Sequence, residues 1–312
     1  MINFRFHLAS LVAVFLALAL GIVMGSTVID RAIVDTLRNR IDRVEHNANV
    51  QRRENNDLRD DLDRVSTFVD RSAPFAVTNR LDGVPLAVVA SRAAGDDPVN
   101  ATVELAVASG AQVPGVLWLE DKWVDPDDDA RKELADLVGG SADDDDASLR
   151  TAAWTALADR LAAATAPETG DLLAGLRDAG FVTLDGVGDD DVDPSVYPGV
   201  QARVLLVDAS DADTKPAEVV KPAVDALVRA ELPLVVAEVF RESSDGPDRG
   251  SRVGPVRGDD GLQAVVSTVD DLETAEGRVA AVLALSDLGR GVIGHYGFGS
   301  GATRDLPEWT PP

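Results

Sequence analysis

The 312-residue chain contains no cysteine. That excludes disulfides, thiolate nucleophiles and thiolate metal sites together, and leaves the redox compartment unconstrained. Methionine occurs only at positions 1 and 24 and histidine only at 7, 46 and 295, so thioether and imidazole ligands for transition metals are scarce as well. Lysine is rare too: Lys122, Lys132, Lys215 and Lys221 stand against 54 acidic residues, and the formal charge is −25. A surface of that sign repels nucleic acid and anionic lipid. No Gly-x-Ser-x-Gly, P-loop or His-Glu-x-x-His segment occurs. The pattern offers no paired nucleophile and base, and the chain reads as a non-enzyme with no evident cofactor. Also missing is any series of ten-residue alternating segments, which a transmembrane β-barrel requires.

What is present begins with an uncharged apolar stretch over residues 8–29. As a helix its 22 residues rise about 33 Å, enough to cross a bilayer core. A signal-peptide core is shorter, and although Ala17-Leu18-Ala19 resembles a cleavage site, the apolar pattern continues through Ile22, Val23, Met24, Val28 and Ile29. The expectation is a retained anchor over residues 1–29. Gly21 and Gly25 share one helical face, where missing side chains let membrane helices approach closely; small residues are also simply common in such helices.

Residues 30–73 contain neither Gly nor Pro and carry a seven-residue apolar repeat. Counting from Val34 as the first a position, a and d are Val34, Leu37, Ile41, Val44, Ala48, Gln51, Asn55, Leu58, Leu62, Val65 and Val69. Only Gln51 and Asn55 are polar, and a single Asn at an a position selects a paired, in-register, two-stranded coil. In a parallel pair each g residue faces the e residue five later on the other chain. Arg40 then meets Glu45 and Glu54 meets Arg59, both opposite in sign. His46 takes an outward f position. The expectation is a homodimeric coiled-coil stalk whose heptads, Val34 to Val69, rise about 54 Å; the alternative is a single amphipathic helix packed on its own domain.

From Pro74 to residue 312 the chain changes character. Short apolar runs at 84–90, 115–119, 181–185, 203–208, 233–239 and 263–268 read as buried strands. Helical patterns lie at 97–109, 129–138, 147–164, 170–179, 216–231 and 272–285. The fold class is therefore α/β: an N-terminal transmembrane helix, a coiled-coil stalk, then a mainly parallel sheet covered by helices. Acidic runs at 125–129, 143–146 and 189–193 lack calcium-loop spacing and read as solvated loops. Asp208, Asp211 and Asp213 follow the strand "RVLLV", where open α/β sheets bind ligands. They are weak candidates for a hydrated cation; the alternative is a polar turn capping the helix that starts near Pro216. "HYGFGSGA" at 295–302 is glycine-rich but is not followed by a helix, and reads as a loop fixing the chain end.

"MINFRFHLASLVAVFLALALGIVMGSTVIDRAIVDTLRNRI", the heptads after it, the α/β region and the closing "HYGFGSGA" resemble the actinobacterial MctB-like proteins, called copper transporters or copper-transport outer-membrane proteins. The resemblance covers essentially the whole chain. It implies an envelope protein in copper efflux or homeostasis, described as channel-forming in mycobacteria, with an outer-membrane location by name. Corynebacterial relatives called SteB are implicated in cell separation, acting with a membrane partner called SteA upstream of peptidoglycan hydrolases. Copper enters only through the resemblance, because the chain's few His and Met are scattered and Cys is absent. Nor does the apolar stretch suit a pore wall, with Ser10, Ser26 and Thr27 its only polar side chains.

Positive charge follows the span at Arg31, Arg38, Arg40 and Arg43 and precedes it only at Arg5. A bare count would put the large domain inside. Long domains translocate with weaker regard to charge, and "MINFRFH" is a typical signal-anchor start, so the expected topology is single-pass with the C-terminal domain extracytoplasmic. The resulting expectation is a non-catalytic dimeric binding protein of the envelope. A scaffold for cell separation is the alternative.

Overall fold

A computed structural model describes residues 4–141, 145–163, 165–167, 169–188, 192–198, 201–212, 215–242 and 246–308; of residues 26–35 and 216–217 only the backbone is described. The chain divides into two units, Met1–Val65 and Ser66–Pro312.

The first unit belongs to one helix, α1 (Phe4–Val77), whose last turns lie in the second. With no Gly or Pro between residues 30 and 73, nothing interrupts it. It also runs one turn past Pro74, the boundary suggested by sequence. Ala73 and Val77 are buried in the second unit's core, and that burial holds the turn despite the hydrogen bond a proline cannot donate. Asn79 stops the helix by taking a left-handed φ of 58°. Within α1, Phe4–Gly25 is long and apolar enough to cross a membrane. Gly21 and Gly25 both lie there, with open space around each.

Among the described residues the second unit has a seven-stranded sheet in the order β3-β2-β1-β4-β5-β6-β7. Its strands are β1 (Leu86–Ser91), β2 (Gly115–Leu119), β3 (Val182–Gly186), β4 (Arg203–Ala209), β5 (Leu234–Val239), β6 (Val266–Val269) and β7 (His295–Tyr296). All neighbours pair in parallel except β2 and β3. The central strands are buried on both faces, which is why their sequences are apolar without alternation.

Successive residues nevertheless feed different cores. Ala87, Val89, Val204 and Leu206 pack with α4 (Asp128–Val138), α5 (Asp146–Ala162), α6 (Leu172–Asp178) and α7 (Pro216–Arg229). Val88, Ala90, Leu205 and Val207 pack with the end of α1, α2 (Asp96–Ala108) and α9 (Ala275–Leu288). Two short helices, α3 (Asp121–Val124) and α8 (Gly254–Arg257), complete the α-helices of the described residues.

Parts of the acidic runs start helices. Asp127 accepts from the amides of Asp129 and Ala130 to cap α4, and Asp145 accepts from Ser148 to cap α5. Those amide bonds hold the Asp145 carboxyl below its usual range, as the Ser195 amide does for Asp193. Asp143, Asp144 and residues 189–191 lie outside the described residues.

Candidate functional site

The chain runs from β1 to β2 on one side and later returns to β4 on the other, so the strand order switches between β1 and β4. Carboxyl ends at such a switch are where doubly wound sheets bind ligands. Here that edge carries buried carboxylates, one on each of β4 and β5 and two just after β6.

Asp208 ends β4. Ser91, the last residue of β1, donates to its Oδ1 at 2.6 Å, the Ala209 amide donates at 2.9 Å, and Arg252 Nη1 lies 3.4 Å from Oδ2. Burial raises the Asp208 pKa against the opposing pull of Arg252, Ser91 and the Ala209 amide, and nearby Asp211 raises it further. Arg252 also donates from Nε to the Ala209 carbonyl at 2.6 Å. One residue thus serves two strands, because the Arg252 amide donates at 2.7 Å to Glu238 near the end of β5. Glu238 takes a second amide from Gly250 at 2.9 Å, and burial is the main cause of its raised pKa.

Asp270 follows β6 and is the anion in a cradle made by the glycine-rich segment. The amides of Phe298 and Gly299 donate to it at 2.8 and 3.0 Å, and Arg257 Nη1 lies at 2.6 Å. A Cβ on Gly297, whose φ is +115°, would collide with the Asp270 carboxylate, so this turn requires glycine. The segment fixes the chain end in this way, but its first two residues are the edge strand β7, which sequence reading had placed in the loop. The next residue, Asp271, is 1% exposed and its Oδ1 has no hydrogen-bond partner. Burial, then the charges of Asp270 and Glu273, push its pKa up to about 7, with Arg249 and Thr274 opposing. Arg249 donates to Glu273 at 2.6 Å and to the Asp270 carbonyl at 3.1 Å.

Of the cation candidates, Asp208 belongs to this edge. Asp211 instead accepts from Arg241 Nη1 at 3.0 Å, while that arginine also holds the carbonyls of Ala93 and Ala94. Different arginines therefore hold the two, and Asp213 lies outside the described residues. Nor does a side chain of the N-cap residue, Lys215, cap α7. Among the described residues no group of three or more His, Asp or Glu is arranged to hold a metal ion. His295 has both ring nitrogens engaged, Nδ1 with Thr268 Oγ1 at 2.9 Å and Nε2 with the Gln263 carbonyl at 3.1 Å, and burial lowers its pKa. A neutral histidine so placed ties β6 to β7. What the edge does chemically is lock strands to loops through paired charges.

Sequence reading singled out Asp208 but missed Arg252, Glu238, Asp270, Asp271 and Arg257. A signal for the acids was there: Glu238 sits inside the apolar run 233–239 and Asp270-Asp271 directly follows "VVSTV". A charge ending a fully buried strand must be paired or neutralised.

On α1, the a and d residues Leu37, Ile41, Val44, Gln51, Asn55, Leu58, Leu62 and Val65 are exposed, whereas Ala48 and Val69 are partly covered. The side chain of Val34 lies outside the described residues.

The family described as copper transport outer membrane protein, MctB, matches residues 1–307. The chain belongs to that family. Similar curated relatives are the copper transporter MctB proteins of Mycobacterium bovis and Mycobacterium tuberculosis, each 28% identical over 328 residues, and that of Mycobacterium leprae, 28% identical over 324. Each alignment covers 97% of this chain and 98% of the relative.

Proposed function

We propose that this chain is a membrane-anchored envelope protein that takes part in copper efflux or homeostasis through a non-catalytic, dimeric binding role. Residues 1–29 are its anchor, 30–73 its stalk and 74–312 an extracytoplasmic domain. The observation that carries the dimer is the run of large apolar side chains left exposed at a and d positions, among them Leu58 at 62% and Leu62 at 67%. Solvated leucine at this spacing is costly, and a second copy in parallel register covers it while pairing Arg40 with Glu45 and Glu54 with Arg59. Gly21 and Gly25 let two spans approach within the bilayer.

The copper part rests on the family and on what its mycobacterial relatives are called; none of those names speaks of cell separation. Copper is the cargo of the pathway rather than a resident ligand of this domain, since the donor set does not suit a selective copper site. The α/β domain presents a binding surface and the stalk holds two such surfaces together.

Sedimentation of the full-length chain in detergent, with metal analysis of the same sample, tests this reading. A dimer without stoichiometric copper is expected, and Leu58→Glu with Leu62→Glu is expected to give monomers. A monomeric parent overturns the dimer, and stoichiometric copper overturns the indirect role.

A further inference from the structure

The flanking positions of the heptads change character where α1 joins the α/β unit. Over the stalk the g residues are Arg40, Asn47, Glu54 and Asp61. The next two are Phe68 and Phe75, which are 71% and 82% exposed. The opposite, e flank changes over the same two heptads. It is Arg38, Glu45, Arg52 and Arg59, then Ser66 and Ala73, and Ala73 is buried against the unit's own core. Asp70 and Val77, at neighbouring b positions, bind the same unit, Asp70 through Arg278 at 2.6 Å and Val77 by burial. At the end of the helix Ala73 and Val77 are therefore covered by their own domain, with exposed Asp70 ion-paired to it, and the g side presents two bare phenylalanines.

In a parallel two-stranded coil, g faces e of the other chain five residues on. Phe68 then stands opposite Ala73 of the partner subunit, while the position five past Phe75 falls beyond the end of the partner subunit's helix, so Phe75 faces the turn that leaves it. That turn is bonded to the end of α2: the Leu81 amide donates to Ser109 and the Gly83 amide to Gly110, each at 3.0 Å. Beside that junction Val107 leaves an apolar side chain 42% exposed.

We propose that Phe68 and Phe75 pack in trans on the α/β unit of the partner subunit, against the junction between the helix end and α2, so that the paired stalks clamp the two domains at their base. The occupant is a second copy of this chain, because the polar-to-Phe change on g coincides with the arrival of a domain on e, and only a partner in parallel register brings the two together. The proposal rests on the parallel dimer above.

Because the chain has no cysteine, engineered pairs report contacts without background. Full-length chains carrying Phe75→Cys and Val107→Cys, differently tagged and co-expressed, should form a mixed disulfide on oxidation in membranes, as only side chains in near contact can. The four positions substituted, Leu58, Phe68, Phe75 and Val107, are all exposed, so folding is not at stake. A Leu58→Cys chain reports the parallel seam separately and should give a homodimeric disulfide. Phe68→Ser with Phe75→Ser should raise the dimer dissociation constant about tenfold or more, with Leu58→Cys cross-linking retained at high concentration. A seam disulfide without the mixed one, or an unchanged dissociation constant, overturns the trans contact and leaves the dimer standing. Failure of Leu58→Cys to cross-link overturns both.

Discussion

Replacing Asp271 by Asn should remove a loss of stability that the chain suffers as the pH rises from acid to neutral. Asp271 has an ordinary pKa of 3.8, and in the folded chain it is pushed up to about 7, first by burial and then by Asp270 and Glu273. Between those values the folded chain holds a proton that the unfolded chain has released. Raising the pH through that window therefore pulls the equilibrium toward unfolding. The stabilisation is complete below pH 3.8 and is lost progressively up to pH 7, above which Asp271 costs its full share. Three pKa units correspond to about 4 kcal/mol, of which on the order of 2–3 kcal/mol falls between pH 5 and pH 8. An amide mimics the neutral carboxyl in shape and has no proton to lose, so Asp271→Asn should gain that amount on the parent between the two pH values. For a domain of this size that is about 5–10 °C in melting temperature. Fluorescence melts of the full-length chain in detergent would report it, because Trp118, Trp123 and Trp154 are all buried in the α/β unit. A parent-minus-variant difference that is the same at pH 5 and pH 8 would refute the reasoning.

Three further outcomes follow from the packing. Leu205→Ala empties a fully buried site in the central strand and should cost about 2–5 kcal/mol in chemical denaturation. Arg160 is buried with Asp171 at 2.5 Å and also holds the carbonyls of Pro194 and Tyr197; Arg160→Ala leaves an uncompensated carboxylate and should cost about 3–5 kcal/mol by the same assay. Asp127→Ala removes the cap of α4 and should cost about 1 kcal/mol, a small shift beside the other two.

Periodicity and apolar runs carried most of the fold. Six of the seven strands and the long helices are legible because the strands are short, largely apolar runs and most of the helices show the 3.6-residue spacing. The direction of β3 is not: Val182 and Leu184 are buried while Asp185 is exposed, which marks an edge strand, but the way that strand runs after the long connection through α3 to α6 leaves no mark in composition. Nor is β7, whose two residues are too few to show a pattern. The sheet edge was half legible. Asp208 stands out as an acid ending an apolar strand, but its partner Arg252 lies far along the chain in a segment with no pattern, and only the fold brings the two together. The glycines of 295–302 signal a backbone that must approach something closely, yet the sequence does not say that the anion they cradle is Asp270 of the same chain. Heptads show which face of α1 is apolar, and the structure shows most of the described a and d side chains of that face exposed.

The central claim, that this family member limits copper through a dimer held on the membrane, is tested most directly by cellular copper content. Cells lacking the chain should accumulate copper when grown in its presence, and the parent chain should restore the normal level. The Leu58→Glu, Leu62→Glu chain, expressed and membrane-bound at parental level, should fail to restore it. Full restoration by that variant would contradict the dimeric role, and unchanged copper in cells lacking the chain would contradict the role in copper homeostasis.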